Sequence, residues 1–258
     1  MATLTSLRTP VGVPAGLGRH LLADLRWTFR PPWTWLSGVG ANLVLAALWW
    51  VVVPFVHHHH GDWGVIVGTY LAGFVLADVT STNVLGADHE RVATALADGV
   101  SLRRLLLVKN VSLLLVVAVP LLVTCAAISS EHRHLGDLEV ALPLVLFPVL
   151  TWLGIGNLLS VALPEPALPL RRRWEQRRRW RTTLRWLLVL GLPYALSLAV
   201  DPLRVVPDET VRWLRGGEHA GDLATGAAVL GVGLAFYLVG TALALTWHRV
   251  RGVRLSPR

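Results

Sequence analysis

Cysteine and lysine occur once each in this chain of 258 residues, at Cys125 and Lys109. A lone cysteine, read here as a small apolar filler, excludes a disulfide framework and any cysteine-based metal centre. A lone lysine, set in LLLVKNVS with no glycine-rich loop before it, excludes a P-loop of the G-x-x-x-x-G-K-[ST] type. If ATP is used, another chain binds it. Charge is scarce as well: 16% of residues are Asp, Glu, Lys or Arg, against about 25% in soluble proteins. No stretch between the apolar runs is long enough to bury a core of its own. Period-two alternation is missing, which excludes strands of the membrane-barrel kind. The first 34 residues hold no continuous apolar segment followed by a small-residue cleavage site, so no signal peptide is expected.

What the chain does have is long apolar runs, with 53% of its residues hydrophobic. About 20 residues of helix are needed to cross about 30 Å of hydrocarbon. Six runs qualify, at about 36–56, 64–83, 104–128, 139–163, 184–200 and 223–247. The expected fold is therefore all-α: a polytopic integral membrane protein with six transmembrane helices in a single domain, 1–258. With both termini cytoplasmic, twenty of the twenty-four basic residues fall in inner segments, and nine of the sixteen carboxylates fall in outer loops. That lopsided distribution fixes the expected orientation.

The run RRRWEQRRRWR, 171–181, and the net charge of +8 raise nucleic acid as a partner. Spans flank the run closely, so an orientation signal lying on anionic headgroups is the favoured account and no nucleic-acid partner is expected. Trp174, Trp180 and Trp186 suit a membrane interface. Upstream, Leu17, Leu21, Leu25 and Phe29 recur every fourth residue, with Arg19, Arg26 and Arg30 turned away from them. This periodicity predicts an amphipathic helix over about 15–30 lying in the inner interface, ended by Pro31 and Pro32. A plain basic leader is the alternative.

Chemistry within the membrane finds little support. Intramembrane proteolysis would use paired carboxylates, a serine, or H-E-x-x-H, whereas DHERV has no second histidine four residues on. Asp78 stands some fifteen residues from Trp63, about 22 Å along a helix, and is expected at the inner interface, with a substrate or proton contact as the alternative. The outer histidines His57, His60, His132 and His134, with Asp62 and Glu131 nearby, are weak metal candidates. Four consecutive histidines do not all turn toward one ion, and no metal is expected.

The informative stretch is GADHERVATALADGVSLRRLLLVKN, Gly86 to Asn110. Its pattern predicts a short helix over about 87–98, with Val92 and Leu96 on an apolar face and Asp88, Glu90 and Arg91 on a charged one. Gly99 is a natural stop, and Ser101 a natural cap for the next helix, which carries Arg103 and Arg104 into the membrane. A rigid knuckle with apolar and charged faces is suited to being held by a partner, with Val92 and Leu96 as anchor and charged residues as rim. A connector that merely reverses the chain is the alternative.

This stretch resembles the segment between the second and third spans of permeases in type 2 ATP-binding-cassette exporters. There an acidic helix leads to a leucine, a Pro-Val-Ser-like turn, basic residues and a lysine. Leu96, Gly99, Val100, Ser101, Arg103, Arg104 and Lys109 occupy those places, with Gly99 where proline is common. The likeness extends to the six-span layout, the N-terminal helix, GIGNLLSVALPEP (154–166) and PDETVRWLRGG (207–217). It implies a permease subunit in a bacterial plasma membrane, without enzymatic activity of its own. The knuckle would be a coupling helix, docking through Asp88, Glu90, Arg91, Val92, Leu96, Arg103 and Arg104 to a separate ATPase that holds ATP and Mg.

Such transport also needs a second permease copy or a paralogue. Ala227, Gly231 and Ala235 offer a small-residue packing face for it, or for a span of the same chain. Pro120, Pro143, Pro148 and Pro193 are expected to kink spans or free carbonyls beside a path. Spans so poor in charge favour a lipid-like or amphipathic cargo, with polysaccharide and peptide left open. Two rivals remain: a non-transporting membrane scaffold or assembly subunit, and an intramembrane lipid-modifying enzyme.

Overall fold

The computed structural model describes residues 16–30, 82–123, 126, 138–165, 180–200 and 222–252. The described residues are mostly helical and contain no strand. Three of their helices are long and apolar enough to cross a membrane: Leu102–Val123, Leu142–Ala162 and Leu223–Arg251. The expected spans at 36–56 and, but for its last two residues, 64–83 lie outside the described residues. So do Asp78, Cys125, the outer histidines, PDETVRWLRGG and all of the arginine-rich run except Trp180 and Arg181.

Helix α1 is Leu17–Thr28. A single turn, α2 (Val84–Ala87), leads into α3, His89–Ala97, which forms the knuckle. Its end follows from the sequence: Gly99 takes φ 82°, a conformation glycine enters without a Cβ clash. That lets the Gly99 N–H reach the Leu96 carbonyl at 3.1 Å and the Val100 N–H reach Ala95 at 2.9 Å. The pair of bonds is a Schellman stop. Ser101 then caps α4 (Leu102–Leu113), its Oγ accepting from the Arg104 N–H at 3.4 Å.

The helical path of α4 continues to Val123 through a wide turn at Leu114–Ala118, where the Val119 N–H bonds back to Leu114, five residues earlier. Proline explains the widening. Pro120 has no N–H to give residue 116 and its ring crowds that carbonyl, so the ladder shifts by one residue. Helix α5 (Leu138–Ala162) runs unbroken through Pro143 and Pro148, and α6 (Trp180–Val200) through Pro193. Helix α7 is Asp222–Arg251.

Side-chain contacts give the directions. Gly233 lies against Phe147 and Gly240 against Gly154, and Asn157 bonds Thr241, so α5 and α7 run parallel. Arg185 reaches Pro164 and Glu165 while Tyr194 meets Trp152, so α6 runs the opposite way to α5. The residues before α4 bond the end of α5, as Ser160 donates to the Thr82 carbonyl and Asn83 to Leu163 and Glu165. The start of α4, the end of α5, the start of α6 and the end of α7 thus share one pole of the bundle, which carries Arg103, Arg104, Arg181, Arg185, Arg249 and Arg251.

Alpha5 and α7 touch where side chains are missing. A Cβ on Gly154 would stand 2.9 Å from the Tyr237 Cα, and one on Gly240 would stand 2.9 Å from the Gly154 Cα. The described helices of the same chain do not use the small-residue stripe expected on α7. Ala227, Gly231 and Ala235 are exposed, and a Cβ on Gly231 would meet nothing within 4 Å. The packed stripe is Gly226, Val229, Gly233, Gly240 and Ala244. Both stripes are rich in small residues, so spacing alone did not separate them. The core continues through Leu85, Val92, Leu102 and Leu106 at the knuckle to Val149, Trp152 and Val161 on α5.

Candidate functional site

Helix α1 forms where the periodicity expects an amphipathic helix, and the side chains it buries against the rest of the chain lie beside the leucine stripe. Leu17 and Phe29 are exposed, and the buried side chains are Asp24 and Thr28, one turn apart. The Thr28 hydroxyl donates to the Asp24 carbonyl at 3.1 Å, which removes its own polar cost. Asp24 meets Lys109 of α4, while Trp27 and Thr28 share a small void with Ser112 and Leu113. Contacts advance together along both helices, so α1 lies alongside the first three turns of α4.

A buried carboxylate is tolerable only with a partner, and Asp24 has one in the chain's sole lysine. The Lys109 Nζ donates to Asp24 Oδ1 at 2.5 Å and to Asp88 Oδ2 at 2.8 Å. Its side chain is 9% exposed, and those of Asp24 and Asp88 are 5% and 6% exposed. Arg91, one turn after Asp88, adds a second cation, 3.0 Å from Asp88 Oδ2 and 3.6 Å from Asp24 Oδ1. Trp27 closes the cluster, with Lys109 Nζ 4.6 Å and the Arg91 guanidinium 5.3 Å from its ring centroid. Two carboxylates and two cations balance. Burial pushes the Asp88 carboxyl above its usual range, and the neighbouring Lys109 and Arg91 oppose that shift. The arrangement is a clamp: α1, α3 and α4 are joined through one ammonium group.

A second junction ties the knuckle to α5. The Asn83 amide donates to the Leu163 and Glu165 carbonyls, both at 3.4 Å, and a Cβ on Gly86 would stand 2.6 Å from the Glu165 nitrogen. Glu165 in turn pairs with Arg185 of α6 at 3.0 Å. Most of the stretch GIGNLLSVALPEP thus acquires a structural role: Gly154 admits α7, Asn157 bonds Thr241 at 2.8 Å, and the end from Leu163 holds Asn83 and Gly86.

These contacts revise the docking residues expected from sequence. Val92 is 2% exposed and belongs to the chain's own core, and Asp88 is held by Lys109 and Arg91, so neither presents itself to a partner. Leu96 is half-buried against the same core. Glu90, Arg91 and Arg103 are exposed, and Arg104 is intermediate. The outward flank of α3 is formed by Glu90, Ala93 and Ala97, all exposed. Among the described residues no group of three His, Cys, Asp or Glu side chains is placed to hold a metal ion.

Sequence reasoning named Lys109 without its partners and missed Asp24, Trp27, Asn83, Gly86 and Glu165. One signal was available. A lysine seven residues inside an apolar helix needs an acid, and Asp24 is the only acid in the first 61 residues. No protein-family model, curated protein or solved structure matches the chain.

Proposed function

We propose that the chain is the membrane-spanning permease subunit of an ATP-driven exporter. It lies in a bacterial plasma membrane with the knuckle in the cytoplasm, and a separate ATP-binding-cassette ATPase, holding ATP and Mg, seats on α3. The observation that carries this reading is the burial of Lys109 between Asp24 and Asp88. A connector that only reverses the chain has no need of a buried, fully paired ion cluster, whereas a part that transmits force must not yield before it moves its neighbours. Force on α3 passes to α4 and α1 through the clamp, and to the end of α5 through Asn83 and Gly86. Two permease copies, or this chain and a paralogue, enclose the path.

The docking surface in this reading is the flank of Glu90, Ala93 and Ala97, with Leu96 beneath it. The test is purification from native membranes in mild detergent, with identification of the co-eluting chains. The intact chain is expected to bring down a stoichiometric P-loop ATPase, and the Ala93→Arg/Ala97→Arg variant to lose it while keeping its melting temperature. Leu96→Asp should lose it as well. No ATPase with the intact chain, or equal recovery with the paired arginines, removes this function.

A further inference from the structure

Against the clamp, α1, α3 and the start of α4 leave a cavity of about 390 Å³, within the size of small-molecule sites. Its charges are sorted by wall. The α3 wall presents Glu90, Thr94 and Asp98 at four-residue intervals, with Arg91 beside them drawn to Asp88 and Asp24 of the clamp, and the opposite wall presents His20 from α1 and Arg104 from α4. His20 and Arg104 are near neighbours: burial first, and then the Arg104 charge, lower the histidine's proton affinity. His20 therefore faces the cavity as a hydrogen-bonding ring beside the Arg104 cation. The floor is apolar, with Leu105 among its residues. At the inner end Asp24 and Asp88 are balanced by Lys109 and Arg91, so the clamp offers no net charge.

Asp98 is the informative residue. It is the C-cap of α3, where the helix dipole disfavours a carboxylate. Among the described residues no ion pair reaches its side chain. An acid kept at the wrong end of a helix, facing a cavity whose far wall is cationic, is given no counter-charge by the described residues.

We infer that the cavity binds the headgroup of an amine-bearing zwitterionic phospholipid, its ammonium toward Asp98 and Glu90 and its phosphate toward Arg104 and His20. Opposed walls of opposite sign select a dipolar ligand over a simple anion or cation. A primary ammonium donates three hydrogen bonds to the acidic wall, where a quaternary one donates none. The apolar floor receives the glycerol backbone and the first methylenes. The site does not depend on the exporter reading, because binding needs no ATPase.

The experiment is a thermal-shift titration of the full chain in detergent with short-chain phosphatidylethanolamine, phosphatidylcholine and phosphatidylglycerol, and with soluble phosphoethanolamine. Phosphatidylethanolamine should raise the melting temperature saturably. The other lipids and the soluble headgroup should need about tenfold more to match it, the loss of one charge-assisted contact. Asp98→Asn and Arg104→Gln should each shift half-saturation by about tenfold, while Arg103→Gln, exposed and outside the cavity, leaves it unchanged. Equal responses to all three lipids, or unchanged saturation in both cavity variants, overturn the site. A full response to phosphoethanolamine alone overturns the lipid as its source.

Discussion

Replacing Lys109 with methionine keeps the apolar stem, one atom shorter than the full side chain, and removes the ammonium. Two buried carboxylates then lose the donor that stood 2.5 and 2.8 Å away. Breaking a buried ion pair by deleting one partner costs about 3–5 kcal/mol, most of it the desolvation of the group left behind. Arg91 softens the loss, since it already touches Asp88 at 3.0 Å, but it stands 3.6 Å from Asp24 and its side chain is 41% exposed. The lower end, about 3 kcal/mol, is therefore expected for Lys109→Met. The assay is detergent-denaturant unfolding followed by circular dichroism. The decisive companion is Lys109→Met/Asp24→Asn/Asp88→Asn, in which no buried charge is left without a partner; it should return to within about 1 kcal/mol of the parent. A single variant less than about 0.5 kcal/mol from the parent, the usual scatter of inconsequential substitutions, refutes the clamp. So does a triple variant no more stable than the single one.

Gly240→Ala should cost about 1–3 kcal/mol, because its Cβ would stand 2.9 Å from the Gly154 Cα and two backbones must part. Gly231→Ala, with nothing within 4 Å, should be neutral or slightly stabilising through helix propensity; paired melting curves test both, and equal effects would refute the packing. The Asp88 carboxyl has a pH signature. Burial raises its pKa above 3.8, so between that value and the raised one the folded chain binds more protons than the unfolded chain, and stability falls as pH rises through the window. Asp88→Asn cannot titrate, so the melting temperature of the parent minus that of the variant should be larger at pH 4 than at pH 7. A flat or reversed difference counts against the buried carboxyl.

Apolar periodicity and run length were enough to find helices α4 to α7, and local turn chemistry marked the knuckle: Gly99 and Ser101 stop one helix and start the next in the expected places. What spacing did not convey is which face turns inward. On α1 the four-residue stripe of Leu17, Leu21, Leu25 and Phe29 suggested a helix lying in the interface, and nothing in it said that Asp24 and Thr28 would be the buried pair. The reason lies 85 positions away, in a lysine that only the fold brings to Asp24. On α7 the two small-residue stripes differ by a rotation of the helix, and the choice was made by Gly154 and Phe147 on another element. Val92 likewise had the right character for an anchor, but the partner it anchors to is its own chain.

A chain with one lysine also contains one side-chain amine, and in this fold that amine lies between two carboxylates and beneath an indole. Amine-directed reagents consequently have a single internal target, reachable only while α1 or α3 has lifted away. Their rate of attack on Lys109 counts those openings directly, without any introduced probe. The protein thus carries its own chemical stopwatch for the movement of the knuckle. Mass spectrometry of one tagged residue would show whether a nucleotide, a lipid or a partner subunit speeds it or slows it.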